Sequence, residues 1–581
     1  MTSTTKPFFM ARLAGTQAEM GAQHGRLVAA DALHLVEFYR TMPERALVGG
    51  MTGVAGKLGR LAARGVARAW QERLARDRPA ELAARSRAFM EAVAARSSTD
   101  LRTALLTLAT MDSLQNCVSL VARNKLGPFA NPLAPRAAVA AAPACSTIIA
   151  WGDATADGEL LFSRNFDFPG VGVWDAAPAF VVCRETGGQR YGFFATRGAD
   201  APVVTVVNEA GLVLAPHTRW HLGVRFGGAM IVDLVHDIAR RAETLADAIA
   251  IARERPVSSS WGIAVGSARE KSALVLEIAG ASVEVVRPAA GASSQVCANR
   301  YRSESLQAGQ VASSAAWALH SERRERKLRE LVETRPAPLT MEMMARFMGD
   351  RHDVDAPGIR RRLGGILAQP TNVHCAVVAP AACRALVGVD RAPCCEGRWA
   401  ELAWSWDGPL GGWELGDAPV IGATALGATA LGASGFAATL RDDVVAPHDA
   451  ATRHVHDATR AYESAHDIAA ARTAIERAVA ADTIDPSLRL AAAWLALEAG
   501  DRAAAVEHVH AGLAREHDSY RRGQLLLWGA RAASSVDPAQ SARWADELAR
   551  LAGPHVEELQ AAARRPHQRR PQVNLVMVDA Y

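Results

Sequence analysis

The sequence predicts an α+β protein in which β-sheets stack on one another with helices outside them. Three observations carry this. Apolar residues recur at three- and four-residue spacing from Thr16 to about Val121, give way at Cys145 to short β runs, and return to helical spacing from Ala446 to about Ala563. The β runs form hairpins on both sides of a helix pair. No βαβ series alternates along the chain, so a doubly wound sheet is not expected.

Taken in order, Ala29–Tyr39, Leu58–Leu74 and Leu82–Val93 are amphipathic, with Ala, Arg and Glu on their polar faces. Gly127–Pro143, rich in Pro and Ala, reads as an extended connector. Strands are predicted at Thr147–Trp151, Leu160–Ser163, Ala179–Cys183, Tyr191–Ala195, Val203–Val207 and Leu212–Ala215. Asp157-Gly158, Gly187-Gly188 and Ala210-Gly211 supply turns. Helices at Ile231–Arg241 and Leu245–Arg255 precede strands at Gly262–Val265, Leu274–Ile278, Val283–Val286 and Val296–Ala298. Helices at Ser321–Glu333 and Met341–Met348 then lead to strands at His374–Val378 and Ala385–Val389. Gly422–Phe436 is a short Gly-Ala repeat and reads as a linker. Beyond it, Ala469–Ala481, Pro486–Ala499, Arg502–Arg515 and Tyr520–Ala533 look like stacked helical hairpins of tetratricopeptide-like type, with Asp485-Pro486 and Asp537-Pro538 at helix starts.

Composition narrows the classes. At 581 residues, 49% apolar and 22% charged, the chain has a globular balance and is too long for one ordinary domain. Its net charge of +4 comes from scattered residues, which makes no case for nucleic acid. The basic run Arg564–Arg570 reads as a solvated tail. Eight cysteines without a CxxC spacing argue against a disulfide framework or a zinc ribbon. His454-Val455-His456-Asp457 has no second ligand set, and no glycine-rich loop cradles phosphate, so neither metal nor cofactor is expected. Met1–Arg12 carries no apolar core of a secretory signal, and no apolar run reaches the ~18 residues of a membrane span. The expected compartment is the cytoplasm.

The chemistry concentrates at Cys145, which opens the run Cys145-Ser-Thr-Ile-Ile-Ala-Trp151; Arg164-Asn165-Phe166-Asp167 follows one hairpin later. An internal cysteine, with a thiol pKa of about 8.5, needs a base beside it. Its backbone nitrogen cannot serve while joined to Ala144. Cutting Ala144–Cys145 would convert it to an α-amine of pKa about 7.7–8.0, held beside the sulfur and able to shuttle the thiol proton. Arg164 could then orient the sulfur and Asp167 the amine. Residues three apart on a strand face opposite ways, so this reading expects a bend near Asp167, where Pro169-Gly170 follows.

Six pieces spread along the chain match one family in order. They are Gly15-Thr-Gln-Ala-Glu19-Met-Gly21-Ala-Gln-His24-Gly25, Cys145-Ser146-Thr147, Gly152-Asp153 through Asp157-Gly158 into Arg164–Phe168, Asn208-Glu209-Ala210-Gly211-Leu212, Ala298-Asn299-Arg300-Tyr301, and Ser321-Glu322-Arg323-Arg324. Together they resemble the acyl-CoA:6-aminopenicillanic acid acyltransferase-like branch of the N-terminal nucleophile (Ntn) hydrolases, with bile salt hydrolases and penicillin V acylases more distant. The resemblance spans about Gly15 to Glu401 and implies a four-layer αββα sandwich. It also implies Cys145 as nucleophile, Arg164 and Asp167 as its support, and Asn299 as an oxyanion donor. His217 or Thr218 would add a polar contact, and Arg323 or Arg324 would complete the substrate site. Two departures stand out: Ala144 in place of the usual glycine before the cysteine, and Arg300 where the family has His.

The implied domains are a helical pro-region or small subunit (1–144), the catalytic domain (145–420), a linker (421–445), a helical-hairpin domain (446–565) and a tail (566–581). The implied activity is that of an autoproteolytically activated N-terminal-cysteine hydrolase or acyltransferase. Its substrates would be small acyl amides or acyl-CoA-like thioesters. Two other readings stay open. One is an interaction scaffold that binds a protein partner through its C-terminal helices and carries an inactive Ntn-like domain. The other is an internal-cysteine hydrolase using His217 or His374 as base.

Overall fold

The strand that carries Cys145 is buried on both faces, and its alternation shows how the molecule is layered. In β2 (Ala144–Ala150), Ile149 points into an apolar core shared by two sheets, whereas Ile148 and Ala150 join a second core under helices. The computed structural model describes residues 8–48, 53–96, 110, 112, 116, 144–311, 315–415, 431, 434–465 and 467–565.

Among the described residues, β2 belongs to a seven-stranded antiparallel sheet of order β11-β2-β3-β12-β13-β14-β16. Its members are β3 (Leu161–Asp167), β11 (Ser294–Cys297), β12 (Asn372–Ala379), β13 (Arg384–Gly388), β14 (Trp399–Trp404) and β16 (Phe436–Arg441). The facing nine-stranded sheet has the order β10-β9-β8-β7-β6-β5-β4-β1-β15. It comprises β1 (Phe9–Gly15), β4 (Pro178–Glu185), β5 (Arg190–Thr196), β6 (Thr205–Asn208), β7 (Leu212–Thr218), β8 (Ser260–Ser267), β9 (Ser272–Ala279), β10 (Ser282–Val286) and β15 (Gly411–Glu414).

Phe162, Phe180, Phe194, Val213, Leu402, Trp404 and Phe436 fill the space between the sheets. Outside the nine-stranded sheet lie α1 (Gln17–Val48), with α2 (Gly53–Arg76) packed on it, α3 (Ala80–Ala94), α4 (Ile231–Arg241) and α5 (Leu245–Glu254). Outside the seven-stranded sheet lie α6 (Ala315–Glu333) and α7 (Met341–Met348). Helix, sheet, sheet and helix therefore form four layers separated by three apolar cores.

The first matched segment has a physical basis. Glu19 accepts from the Thr16 nitrogen at 2.7 Å and hydroxyl at 2.9 Å, a capping box at the start of α1. A Cβ on Gly21 would stand 2.2 Å from the Arg85 carbonyl oxygen, and one on Gly25 would stand 2.5 Å from that of Phe89. Those two glycines let α1 and α3 touch backbone to backbone. Asn208 closes the β6–β7 turn through Leu212 N at 3.0 Å and ties it to the end of α4 through Ala242 O at 2.8 Å.

The C-terminal helices are α8 (Ala450–Ala465), α9 (Ile468–Ala481), α10 (Pro486–Glu498), α11 (Arg502–Leu513), α12 (Ser519–Ala533), α13 (Pro538–Arg550) and α14 (Val556–Ala563). Each from α8 to α13 packs on the next, as in stacked hairpins. Five aspartates (Asp467, Asp485, Asp501, Asp518 and Asp537) cap helix N-termini, and Pro486 and Pro538 occupy first turns.

Two boundaries differ from the sequence reading. Phe436–Arg441, assigned to the linker, is the edge strand β16, and Phe436, Ala437 and Ala438 are buried. The reason is visible in the register: Phe436 opposes Trp404 across β14, so this small-residue stretch ends in an anchor. The region before Cys145 is not wholly helical either. Its strand β1 lies between β4, which it pairs in parallel, and β15. The 127–143 connector, most of the Gly-Ala repeat and the 566–581 tail lie outside the described residues.

Candidate functional site

β2 and β3 pair antiparallel without a bulge, setting Ala144 opposite Asp167, Cys145 opposite Phe166 and Thr147 opposite Arg164. Arg164 therefore reaches the inter-sheet side, where one Nη2 donates to Cys145 Sγ at 3.3 Å and to Pro216 O at 2.5 Å, and Nη1 donates to Val204 O. Pro216 belongs to β7 of the facing sheet, and Val204 immediately precedes its β6. They fix the guanidinium under the sulfur.

Asp167, three residues on, lies on the other face, as strict alternation requires. No bend brings the pair together, contrary to the expectation: Arg164 lies on the Cys145 side of the sheet and Asp167, opposite Ala144, on the other. Asp167 Oδ1 accepts from Asn372 Nδ2 at 2.9 Å, while Oδ2 is buried with no partner. Burial pushes this carboxyl up to about 7, against the pull of Arg324 and Arg164.

The Cys145 backbone is held at both ends. Its N–H donates to Asn299 Oδ1 at 2.7 Å, and its carbonyl accepts from Arg324 Nη1 at 2.6 Å. Arg324 also donates to Ser146 Oγ at 2.9 Å and to Asn299 Oδ1 at 2.9 Å. Asn299 sits at the end of β11, its own nitrogen bonded to Ser321 Oγ at 3.1 Å, and it spends one amide hydrogen on Thr218 O at 2.9 Å. Its carbonyl thus faces the Cys145 nitrogen, and of its two amide hydrogens one goes to Thr218 O.

The remaining sequence candidates separate clearly. Thr218 meets the site through its carbonyl. His217 is fully buried and pairs through Nε2 with Thr147 Oγ1 at 2.9 Å. Burial, followed by Arg164, Arg219 and Arg324, holds His217 well below the ordinary imidazole range, so it is neutral. His374 has no partner at either ring nitrogen, and burial and Arg164 lower it to about 3. Among the described hydrogen bonds none joins a histidine to Cys145 Sγ, so the histidine-base reading gains no support. Arg324 joins the site and Arg323 does not: its partners are Asp355, at 2.9 Å, and Asp518. Neighbours on a helix point about 100° apart, and only one of the two can face Cys145. Arg300 is partly exposed and lies 3.9 Å from both Glu322 and Glu325.

Sequence reasoning missed Asn372, Ser146 and Thr147 as contacts. Asn372 also accepts from Cys395 N at 2.8 Å, so it joins Asp167 to a distant loop. Its only signal was a buried polar residue opening an apolar strand.

Beside the site is a cavity of about 130 Å³ walled by α1 and α3 and by Phe166, Phe168, Trp174, Pro216 and Thr218. A liquid water takes up ~30 Å³, so this is more than a packing gap. Phe166 and Phe168 stack at 4.9 Å, and Trp174 stands edge-on to both. The walls are overwhelmingly apolar.

No protein-family model and no curated protein matches the chain. Among solved structures it is similar to a Caenorhabditis elegans N-acylethanolamine-hydrolyzing acid amidase ortholog, at 15% identity over 41% of this chain and 93% of that one, with a TM-score of 0.28. It is also similar to a mutant conjugated bile acid hydrolase from Clostridium perfringens, at 11% identity over 42% and 88%, with a TM-score of 0.27. Likeness at this level carries no functional weight by itself; the groups around Cys145 must supply it.

Proposed function

We propose that this chain is an Ntn-type cysteine amide hydrolase or acyltransferase, activated by cleavage of its own Ala144–Cys145 bond. One observation carries the reading. Cys145 has its sulfur on Arg164 and its nitrogen on Asn299, and its carbonyl is held by Arg324, while Asp167 stands opposite Ala144 in the β2–β3 register. A structural cysteine in a strand needs none of these. In the first step Sγ attacks the Ala144 carbonyl carbon, the C–N bond breaks, and the nitrogen takes up the thiol proton. Water then hydrolyses the thioester to give an Ala144 carboxylate and a free thiol and amine on Cys145.

In the cut protein the amine takes the thiol proton as sulfur attacks an acyl carbonyl, and returns it to the leaving amine. Arg164 holds the sulfur in place, and the second amide hydrogen of Asn299 meets the developing oxyanion. The acyl group remains as a thioester until water, or an accepting amine, removes it. The aromatic cavity favours an apolar acyl group over a charged one.

Intact mass and N-terminal sequencing test the cleavage: a new chain beginning at Cys145 is expected in the wild type and none in Cys145→Ala. Fluorogenic amides carrying apolar or dicarboxylic acyl groups test the chemistry. Faster release from the apolar amide, with the acyl mass appearing on Cys145, is the expected result. An uncut wild type that matches Cys145→Ala on every amide would overturn the reading.

A further inference from the structure

The C-terminal helices meet the site through a contact that the proposed chemistry does not use. α6 presents different faces to different layers. Ala315 and Leu319, four apart, pack in one apolar cluster with Leu488, Trp494 and Trp528 of the C-terminal helices, and Arg323, four further on, pairs with Asp518 at the cap of α12. Ser321 and Arg324 face the other way, onto Asn299 and the Cys145 carbonyl.

The loop 361–369 makes a second bridge. Arg361 forms a bidentate pair with Glu516 at 2.7 and 2.6 Å, Arg362 N donates to Asp485 at 2.7 Å, and Arg521 donates to Leu363 O at 3.0 Å. A few residues later Leu367 O accepts from Asn165 of β3 at 3.0 Å, and Asn372 reaches Asp167. Arg361 and Glu516 are each about 1% exposed at the side chain. A pair so buried contributes little net stability, yet losing one partner is costly, and it fixes how two surfaces seat.

We propose that the C-terminal helical domain is a clamp on the nucleophile, and that Arg323 and Asp518 are positioning residues which hold α6 so that Arg324 reaches the Cys145 backbone. This rests on the reading of Cys145 as a self-cleaving nucleophile. Arg324 grips through three hydrogen bonds, to Cys145 O, Ser146 Oγ and Asn299 Oδ1, and a shift of α6 by part of its 1.5 Å rise per residue would open them. Misplacement of about 1 Å far from the reacting atoms can cost ~100-fold in rate. The aromatic cavity is walled by other elements, so substrate affinity would be spared.

Arg323→Gln and Asp518→Asn test this in the full chain; asparagine keeps the α12 cap while removing the charge. Both variants are expected to slow Ala144–Cys145 cleavage, and iodoacetamide alkylation of Cys145, by about 10- to 100-fold. In the cut enzyme kcat should fall with KM within about twofold, since uniform binding is untouched. Leu548→Ala, in the core of α13 away from α6, controls for loss of stability and should keep wild-type kcat per folded molecule. A wild type that cuts itself, with both variants cutting and alkylating at its rate, overturns the clamp alone. A wild type that is never cut overturns the clamp together with the reading beneath it.

Discussion

At the scale of single residues, the buried neutral histidines His217 and His374 contribute stability that grows as pH rises, and Asp167 opposes them in the uncut chain. Its folded-state pKa of about 7 lies above the ordinary 3.8, so the folded precursor binds more protons than the unfolded chain between those values. Stability contributed by this group is therefore fully present at low pH and is lost as pH rises toward 7, by about 4 kcal/mol at most. In urea unfolding, Cys145→Ala should lose stability relative to the double variant Cys145→Ala/Asp167→Asn over that window, the histidine contribution being common to both. An ammonium left on Cys145 by cleavage would draw the carboxyl back down, so the cut protein should lose the decline as well. Cys145, Arg164, Asn299 and Arg324 were legible in the sequence because each lies in a short motif whose neighbours declare its element. Asn372 was not, because its role comes from pairing with a strand some two hundred residues earlier in the chain. The choice between Arg323 and Arg324 stayed open for the opposite reason: adjacency in sequence conceals a change of face on a helix.

At the scale of elements, β2 and β3 show what an alternation argument can and cannot see. Periodicity located both strands within a few residues but suggested a bend, because it assumed that both supports approach Cys145 from one side. The second sheet and the helix behind it supply the missing geometry, since each face of β3 has its own partners. The helix pair α1 and α3 makes a sharper prediction. A methyl group at Gly21 would meet the Arg85 carbonyl inside contact distance, so Gly21→Ala should cost roughly 1–3 kcal/mol by overpacking. Because Phe89 and Met90 of α3 wall the cavity, the same change should raise KM for apolar acyl amides. A thermal melt and a KM series over acyl length would check the two effects together. The edge strand β16 was hidden because the Gly-Ala repeat before it reads as a linker and Phe436 looks like its last unit.

At the scale of the whole molecule, stacked sheets with helices outside were legible in the hairpins on either side of a helix pair, and the four-layer order was what the family resemblance implied. The domain boundaries were less legible, because sequence segments need not be spatial ones. The strand β1 precedes Cys145 by well over a hundred residues, yet it completes the sheet on the far side of the core. Buried polar contacts tie the same region in: Arg85 of α3 donates to Asp200 at 2.6 Å and Tyr191 at 3.0 Å, and His24 of α1 meets Asp200 at 2.9 Å. Removing the region before Cys145 would leave Asp200 buried without a cation, so a chain started at Cys145 should fail to fold rather than fold as an active short form. Expressing that short form and recording its circular dichroism would test this.

The insertion of β1 between β4 and β15 has a consequence for reversibility. While the chain is whole, refolding is unimolecular and its midpoint does not depend on protein concentration. After a cut at Ala144–Cys145 the same sheet is a complex of two polypeptides, and its assembly becomes bimolecular. The midpoint of unfolding should then rise with concentration for the cut protein and stay constant for Cys145→Ala. Self-cleavage would thus turn a self-contained fold into a dimer of its own fragments, held by a strand that dilution cannot release until the sheet itself opens.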